Sequence, residues 1–173
     1  MRNNCQNLEG TVFLSIIVPT FNEEIRIESS LKTIVEYLNN QTYRWEILVV
    51  DDGSEDSTKD ITRKFTSVEP RVKLNVLPHR GKGNAIKVGM SIARGNYKFQ
   101  CDADLSMPID QISRFLPPVL SEYDIALGSR EIPGAKRMGE PTYRYLMGRA
   151  FNKLSRLAGV DLQDTQCGFK CYT

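Results

Sequence analysis

Two carboxylates one residue apart, Asp102 and Asp104, directly follow the apolar run YKFQC (97–101). Because aspartate disfavours strand interiors and favours turns, the stretch DADLS (102–106) is predicted to lie where a strand ends at the surface. Such a pair is either a solvated turn or a cation site. On its own the spacing favours the solvated turn, since Asp-x-Asp is common among turn formers.

Two further acidic stretches follow predicted strands. PTFNEE (19–24) comes after VFLSIIV (12–18), and DDGSEDST (51–58) comes after WEILVV (45–50). Taken separately, the first is as well explained by a capped helix start and the second by a turn leading into a helix. The sequence around each stretch leaves both explanations open.

The predicted elements that carry these stretches alternate between β and α. Alternation of this kind predicts a mostly parallel sheet with helices on both faces. The strands are predicted at 12–18, 45–50, 72–77, 97–101 and 123–128, and the helices at 27–38, 57–67 and 84–94. A further helical stripe runs from Tyr143 to Leu157, and a last strand is predicted within 161–173.

In an open α/β sheet, ligands bind beyond the carboxyl ends of the strands, so the acidic stretches are expected to share one rim. Carboxylates gathered on a rim repel each other unless a cation or the donors of a ligand compensate. Mg²⁺ and Mn²⁺ prefer oxygen ligands and commonly bridge one or two carboxylates to substrate phosphates. The joint placement therefore favours a cation and nucleotide site over three unrelated turns.

Basic residues precede the third predicted helix in HRGKGNA (79–85). Backbone amides and the side chains of Arg80 and Lys82 at a helix start attract anions, although the spacing is neither a P-loop nor a Rossmann fingerprint. His79 is predicted to be a loop residue rather than a catalytic base. Arg130 and Arg144 flank a polar loop and are candidates for holding a phosphate, with solvated surface arginines as the alternative.

The composition limits the other possibilities. With 23 Lys plus Arg against 21 Asp plus Glu, the net charge of +2 gives no general reason to expect a nucleic acid partner. The four cysteines show no Cys-x-x-Cys spacing, which favours reduced, buried or incidental thiols and fits a cytoplasmic location. We expect a tail at 1–11, one domain at 12–173, no signal peptide or membrane span, and a C-terminal truncation.

Six motifs in order carry a resemblance to a known family. They are SIIVPTFNEE, ILVVDDGSEDST, RGKGNAIKVGM followed by ARGNY, DADLS, ALGSR and DTQCGFK, and they span residues 15–170. The set resembles family 2 glycosyltransferases with the GT-A (Rossmann-like) fold. Within that family it is similar to dolichyl-phosphate β-glucosyltransferases and polyprenyl-phosphate mannose synthases, and RGKGNA with DTQCGFK favours the former.

The resemblance implies a role for each matched position. Asp102 and Asp104 would hold the sugar nucleotide and a Mg²⁺ or Mn²⁺ ion, with Asp104 the more direct ligand, and Ser106 stands where some mannose synthases carry glutamine. Arg130 and Arg144 would serve catalysis by gripping the phosphates of donor and acceptor, and Asp104 would serve it as the metal ligand. The other residues expected at the nucleotide sugar are Pro19, Phe21, Glu23, Asp51 facing the base, and Lys82.

The implied reaction is an inverting transfer of a hexose from a nucleotide sugar to a polyprenyl or dolichyl phosphate. UDP-glucose is the favoured donor and GDP-mannose the second choice. Alternatives are a family 2 transferase acting on a polysaccharide or other glycan, and a non-catalytic nucleotide-sugar-binding fragment. A lipid acceptor implies contact with the cytoplasmic face of a membrane, which we expect through a region outside this chain.

Overall fold

A computed structural model of the chain describes residues 10–129 and 167–173. Six strands, three α-helices and one 3₁₀ helix lie within them. The strands are β1 (Leu14–Thr20), β2 (Trp45–Asp51), β3 (Val72–Val76), β4 (Tyr97–Gln100), β5 (Ile125–Leu127) and β6 (Lys170–Tyr172). The helices are α1 (Ile27–Asn39), α2 (Thr58–Val68), α3 (Lys82–Ile92) and the 3₁₀ helix Ile109–Phe115.

The six strands form one sheet in the order β3-β2-β1-β4-β6-β5. β1 pairs in parallel with β2 and β4, and β2 pairs in parallel with β3. β6 is antiparallel to both of its neighbours, β4 and β5. The predicted mostly parallel sheet is therefore confirmed, and the strand exits of β1, β2 and β4 meet at the same edge.

Helices cover both faces of the sheet, as the alternation predicted. All seven residues of β1 are buried. Ile16 and Val18 join the core on the α1 side, whereas Ile17 joins a second cluster with Ala85 of α3. A Cβ on Gly89 of α3 would lie 2.5 Å from Cγ2 of Ile17, so only glycine lets this helix approach the sheet so closely.

The last strand brings the C-terminal segment beside β4. Cys171 lies opposite Phe99 in the antiparallel register. Phe169 packs edge-on against Phe99 and Phe115, with ring centroids 4.4 and 5.6 Å apart. Edge-to-face aromatic contacts add to the burial of apolar surface and fix the path of the chain just before β6.

The start of α3 differs from the sequence prediction. α3 begins at Lys82 rather than at residue 84, because Gly81 with φ of 92° forms its N-cap. Cys101, Cys167 and Cys171 are free and buried, as expected. Within residues 10–129 and 167–173, no helix is long and apolar enough to cross a membrane. The helix predicted at 143–157 and most of the tail at 1–11 lie outside the described residues.

Candidate functional site

A cavity of about 280 Å³ opens at the carboxyl edge of the sheet. Its walls come from the exits of β1, β2 and β4 and from the start of α3. Six residues predicted from the sequence line it together: Pro19, Phe21, Glu23, Lys82, Asp102 and Asp104. Thr20, Asp52, His79, Gly81, Ala85 and Ala103 complete the lining. The acidic stretches thus share one edge of the sheet, as expected, and the side chain of Lys82 lines the same cavity.

The loop after β4 presents the two carboxylates. Leu105 adopts a left-handed φ of 46°, which turns the chain sharply. The amide of Ser106 donates to Oδ1 of Asp104 at 3.0 Å. On the inner side, Oγ of Ser30 in α1 donates to the carbonyl oxygen of Ala103 at 2.5 Å. This hydrogen bond holds the loop between the two aspartates against the helix that follows β1.

Asp102 is the less solvated of the pair. Its Oδ1 is buried and lies 2.8 Å from Nζ of Lys82, yet it accepts no well-aligned hydrogen bond in the described part of the chain. A buried carboxylate oxygen without aligned donors retains lone pairs for another partner. Asp102 and Asp104 line the same cavity, so one ligand can contact both of them.

These two carboxylates fit a hard divalent cation. Among the residues that the structure describes, no group of three or more His, Cys, Asp or Glu side chains is placed to hold a metal. Mg²⁺ and Mn²⁺ sites that serve nucleotide substrates commonly use one or two carboxylates, with waters and phosphate oxygens as the other ligands. Asp102 and Asp104 match that donor set.

Asp51 is placed away from the cavity surface. It is fully buried at the end of β2. Its carboxylate accepts hydrogen bonds from the amides of Gly53 and Ser54, from Oγ of Ser54 at 2.5 Å and from Oγ1 of Thr20 at 3.4 Å. These contacts make Asp51 the organiser of the DDGS turn. Its expected contact with a base stays a prediction, and the contact would require this network to open.

Asp52, which we did not single out from the sequence, lines the cavity instead. Its carboxylate accepts hydrogen bonds from the amides of Arg80 and Gly81 at 2.9 and 2.8 Å, and Nδ1 of His79 lies 2.8 Å away. Burial raises the pKa of Asp52, but the two amides and His79 outweigh it and hold the pKa below its ordinary value. The amides expected to attract a phosphate therefore bind a carboxylate of the chain itself.

The rings of Phe21 and His79 stack at the mouth of the cavity. Their centroids are 4.3 Å apart and their planes are inclined by 24°. The side chain of His79 is 59% exposed and its Nδ1 is engaged by Asp52. His79 lies in a loop, as predicted, and the pair offers a flat aromatic surface against which a planar group can pack.

The exits of β1 and β2 are joined by hydrogen bonds between their loops. Asn22, with φ of 54°, donates its amide to Oγ of Ser54, and its Oδ1 accepts from the amide of Glu55. The amide of Glu23 donates to Oγ1 of Thr58 at 2.8 Å. This network fixes Glu23 at the cavity wall. Asparagine tolerates a positive φ better than most residues do. Asn22 is therefore the residue in PTFNEE that indicates this turn.

Three residues considered in the sequence analysis remain: Arg130, Arg144 and Ser106. Arg130 and Arg144 fall outside the described residues, so their expected role at the phosphates stays a prediction. Ser106 is exposed, and its backbone amide donates a hydrogen bond to Asp104.

Comparison with curated proteins finds relatives over almost the whole chain. A dolichyl-phosphate beta-glucosyltransferase of Trichomonas vaginalis is 34% identical over 175 residues, which cover 94% of this chain and 52% of the relative. The human dolichyl-phosphate beta-glucosyltransferase is 32% identical over 177 residues, covering 92% of this chain and 54% of that protein. The chain spans about half the length of the curated relatives it matches.

Solved structures share the fold. Glucosyl-3-phosphoglycerate synthase from Mycobacterium tuberculosis superposes with a TM-score of 0.64 at 20% identity, covering 94% of this chain and 57% of that chain. The mannosyltransferase PcManGT from Pyrobaculum calidifontis, in complex with GDP-Man and Mn²⁺, has a TM-score of 0.50 at 29% identity. That superposition covers 62% of this chain and 33% of that chain.

The family assignment follows from the sequence match. The sequence model described as Glycosyl transferase family 2 matches residues 15–171, nearly the whole chain and every strand exit that lines the cavity. The resemblance inferred from the six motifs is confirmed, and the chain belongs to glycosyl transferase family 2.

Proposed function

We propose that this chain is the catalytic domain of an inverting glycosyltransferase that moves a hexose from a nucleotide sugar to a polyprenyl or dolichyl phosphate. The observation that carries the proposal is the convergence of Asp102, Asp104 and Lys82 on one cavity of a family 2 chain. Relatives at 32 to 34% identity are named dolichyl-phosphate beta-glucosyltransferases, which supports both the glucose and the lipid phosphate.

UDP-glucose is the favoured donor, and GDP-mannose is the competing one. The names of the relatives favour glucose, whereas the structural neighbour at 29% identity was solved with GDP-Man. The cavity wall offers the stacked pair of Phe21 and His79 for a base and the carboxylate of Asp102 for sugar hydroxyls. Both features suit either nucleotide, so the donor is decided by experiment.

The reaction is metal-dependent in this proposal, with Asp102 and Asp104 holding Mg²⁺ or Mn²⁺. The neighbour solved with Mn²⁺ supports the choice of ion. A bound divalent cation would offset the charge that develops on the departing nucleoside diphosphate. Lys82, whose Nζ lies 2.8 Å from Asp102, adds a second positive charge beside the donor phosphates.

No strong general base is required from the chain. The nucleophile is an oxygen of the acceptor phosphate, which is already anionic near neutral pH and attacks the anomeric carbon opposite the leaving group. His79 contacts Asp52 and stacks on Phe21, and it is not needed as a general base. Arg130 and Arg144 are proposed to draw the two phosphates together against their mutual repulsion. Because the proposed acceptor is a membrane lipid, we propose that the protein acts at the cytoplasmic face of a membrane.

A thermal-shift panel with UDP, GDP and their sugars, with and without Mn²⁺, tests the donor and the metal together. A ligand that binds only the folded chain must raise its apparent stability. We expect the largest shift with UDP-glucose plus Mn²⁺, and no metal-dependent shift in Asp104→Ala. A larger shift with GDP-mannose would overturn the donor, and an unchanged shift in Asp104→Ala would remove Asp104 from the site.

Turnover with a water-soluble polyprenyl phosphate tests the acceptor. A glucosylated lipid phosphate of inverted anomeric configuration is the expected product. Metal-dependent donor binding without product would instead support a nucleotide-sugar-binding fragment. Transfer to a glycan but not to the lipid phosphate would support the polysaccharide alternative.

A further inference from the structure

Gly168 lies against the carboxylate of Asp102, and we propose that it is a positioning residue for that carboxylate. Its lack of a side chain lets Asp102 take the orientation in which it lines the cavity. The sequence motif DTQCGFK thus contributes to the site through its glycine. The functional part of this inference rests on the proposed function, because it concerns the binding of donor and metal.

The distances at this contact leave no room for a side chain. A Cβ built on Gly168 would lie 2.1 Å from Oδ2, 2.6 Å from Cγ and 2.8 Å from Oδ1 of Asp102. All three are shorter than real Cβ contacts, so either the carboxylate or the glycine backbone would have to move. A side chain here would clash with both oxygens of a carboxylate that lines the cavity. At other glycines, such as Gly89, the nearest atoms belong to core methyl groups or to the backbone.

The backbone of Gly168 is held on both sides. Cys167 and Phe169 are 6% and 4% exposed. The carbonyl oxygen of Phe169 accepts a hydrogen bond from the amide of Gly128 at 2.9 Å, and its ring packs against Phe99. Because these contacts fix the chain, a side chain at position 168 would displace the carboxylate of Asp102 rather than the backbone.

The register of the sheet explains why these two residues meet. β6 pairs with β4 so that Lys170 lies opposite Gln100. Continued in the same antiparallel register, the pairing sets Gly168 opposite Asp102, just beyond the carboxyl end of β4. The antiparallel strand that departs from the otherwise parallel sheet therefore delivers the glycine to the site.

Displacement of the Asp102 carboxylate has a defined consequence. Its Oδ1 would leave the position 2.8 Å from Nζ of Lys82, and the spacing between the two cavity carboxylates would change. Asp104 would keep its hydrogen bond from the amide of Ser106. Gly168→Ala should thus impair the site through Asp102 alone.

A double-mutant cycle of unfolding midpoints tests the contact itself, using the full 173-residue chain. Gly168→Ala should lower the midpoint in the native background. In Asp102→Ala, Cγ and both oxygens are gone, so the same substitution should cost less than half as much. An equal loss in both backgrounds would overturn the proposal, since residues that act through each other are not additive.

Binding of UDP-glucose in the presence of Mn²⁺ tests the positioning. We expect Gly168→Ala to weaken it about tenfold or more, as loss of a group that orients a metal ligand commonly does. No further loss is expected when Gly168→Ala is added to Asp102→Ala. Native-like affinity of folded Gly168→Ala would overturn the proposal.

Gly95→Ala is the matched control for a glycine contact remote from the cavity. A Cβ there would lie 2.5 Å from the amide nitrogen of Ser15, at the opposite end of the sheet. It should lower stability and leave donor affinity unchanged at temperatures below its unfolding midpoint. If the native chain binds neither donor with Mn²⁺, the proposed function fails, and the stability cycle still decides whether Gly168 acts through Asp102.

Discussion

The ammonium nitrogen of Lys82 lies 2.8 Å from Oδ1 of Asp102, so the chain itself supplies a positive charge to a carboxylate that is proposed to hold a metal. The lysine side chain is 56% exposed and that of Asp102 is 27% exposed. An ion pair whose lysine is this exposed is weak, because water screens the ammonium group. A cation can therefore displace Lys82 from Asp102, and the lysine side chain can then contact the phosphates of a donor.

Lys82→Met should separate the effect of Lys82 on cation binding from its effect on phosphate binding. Without nucleotide, Mn²⁺ should bind roughly twofold to fivefold more tightly, because a competing charge worth up to about 1 kcal/mol is gone. Binding of UDP should weaken, because a cation beside the phosphates is lost. Electron paramagnetic resonance of free Mn²⁺ measures the first effect and titration calorimetry the second.

Lys87→Met is the control for a general change of charge, since Lys87 is exposed on the same helix and does not line the cavity. Equal changes in Mn²⁺ affinity for both variants would show that Lys82 acts only through net charge.

Phe21→Ala should weaken nucleotide binding with little loss of stability. Phe21 is 42% exposed, and its ring stacks on His79 at the cavity mouth. Stacking of a base on an aromatic ring is worth about 1–3 kcal/mol, so the affinity for UDP should fall about tenfold. Ile25→Ala, on the same loop and 92% exposed, should change neither affinity nor stability. Unchanged affinity in Phe21→Ala would place the base elsewhere.

The sheet and the rim of the site were predictable because both depend on local patterns. Buried parallel strands require apolar runs, and turn-forming acids mark their exits. These rules located β1, β2 and β4 and brought Asp102 and Asp104 to the same edge as Phe21. The antiparallel direction of β6 was not predictable, because it depends on how a distant segment packs and not on the pattern within it.

Which of Asp51 and Asp52 lines the cavity could be determined only from the structure. Both aspartates lie in one motif, and nothing in the sequence indicates which carboxylate faces the cavity. Both side chains are buried, but Asp51 accepts hydrogen bonds from its own turn, whereas Asp52 accepts them from the amides of Arg80 and Gly81 in the loop that follows β3. Contacts between residues so far apart along the chain carry no local signature, and the same holds for Gly168 against Asp102.

Asp52→Asn should loosen the loop before α3. The carboxylate accepts the amides of Arg80 and Gly81 and contacts His79, and hydrogen bonds to a charged group contribute about 1.5–3 kcal/mol. We expect the free energy of unfolding to fall by about 2 kcal/mol and hydrogen exchange at residues 79–82 to accelerate. Asp60→Asn, whose side chain is 73% exposed, is the control. Unchanged exchange in this loop would contradict the role given to Asp52.

Another buried carboxylate, Glu46, lies at the opposite end of the sheet from the cavity. Its side chain is 2% exposed. It accepts hydrogen bonds from Oγ of Ser15, Nζ of Lys73 and the amide and guanidinium of Arg94, all within 3.1 Å. Burial raises the pKa of Glu46, but these donors outweigh it and lower the pKa from 4.5 to about 2. The folded chain therefore strongly favours the ionised form.

Glu46→Gln should destabilise the chain and flatten its acid response. Because the folded pKa is lowered, the stabilisation is complete above the unfolded value of 4.5 and is lost as the pH falls toward 2. The shift corresponds to about 3 kcal/mol, reduced to about 2 kcal/mol because solvent screens the partly exposed Lys73 and Arg94. Urea unfolding at about pH 7 and about pH 3 should show that the native chain loses more stability than Glu46→Gln. Glu36→Gln, at an exposed position of α1, should follow the native chain at both pH values, and a native-like acid loss in Glu46→Gln would assign the acid response to other carboxylates.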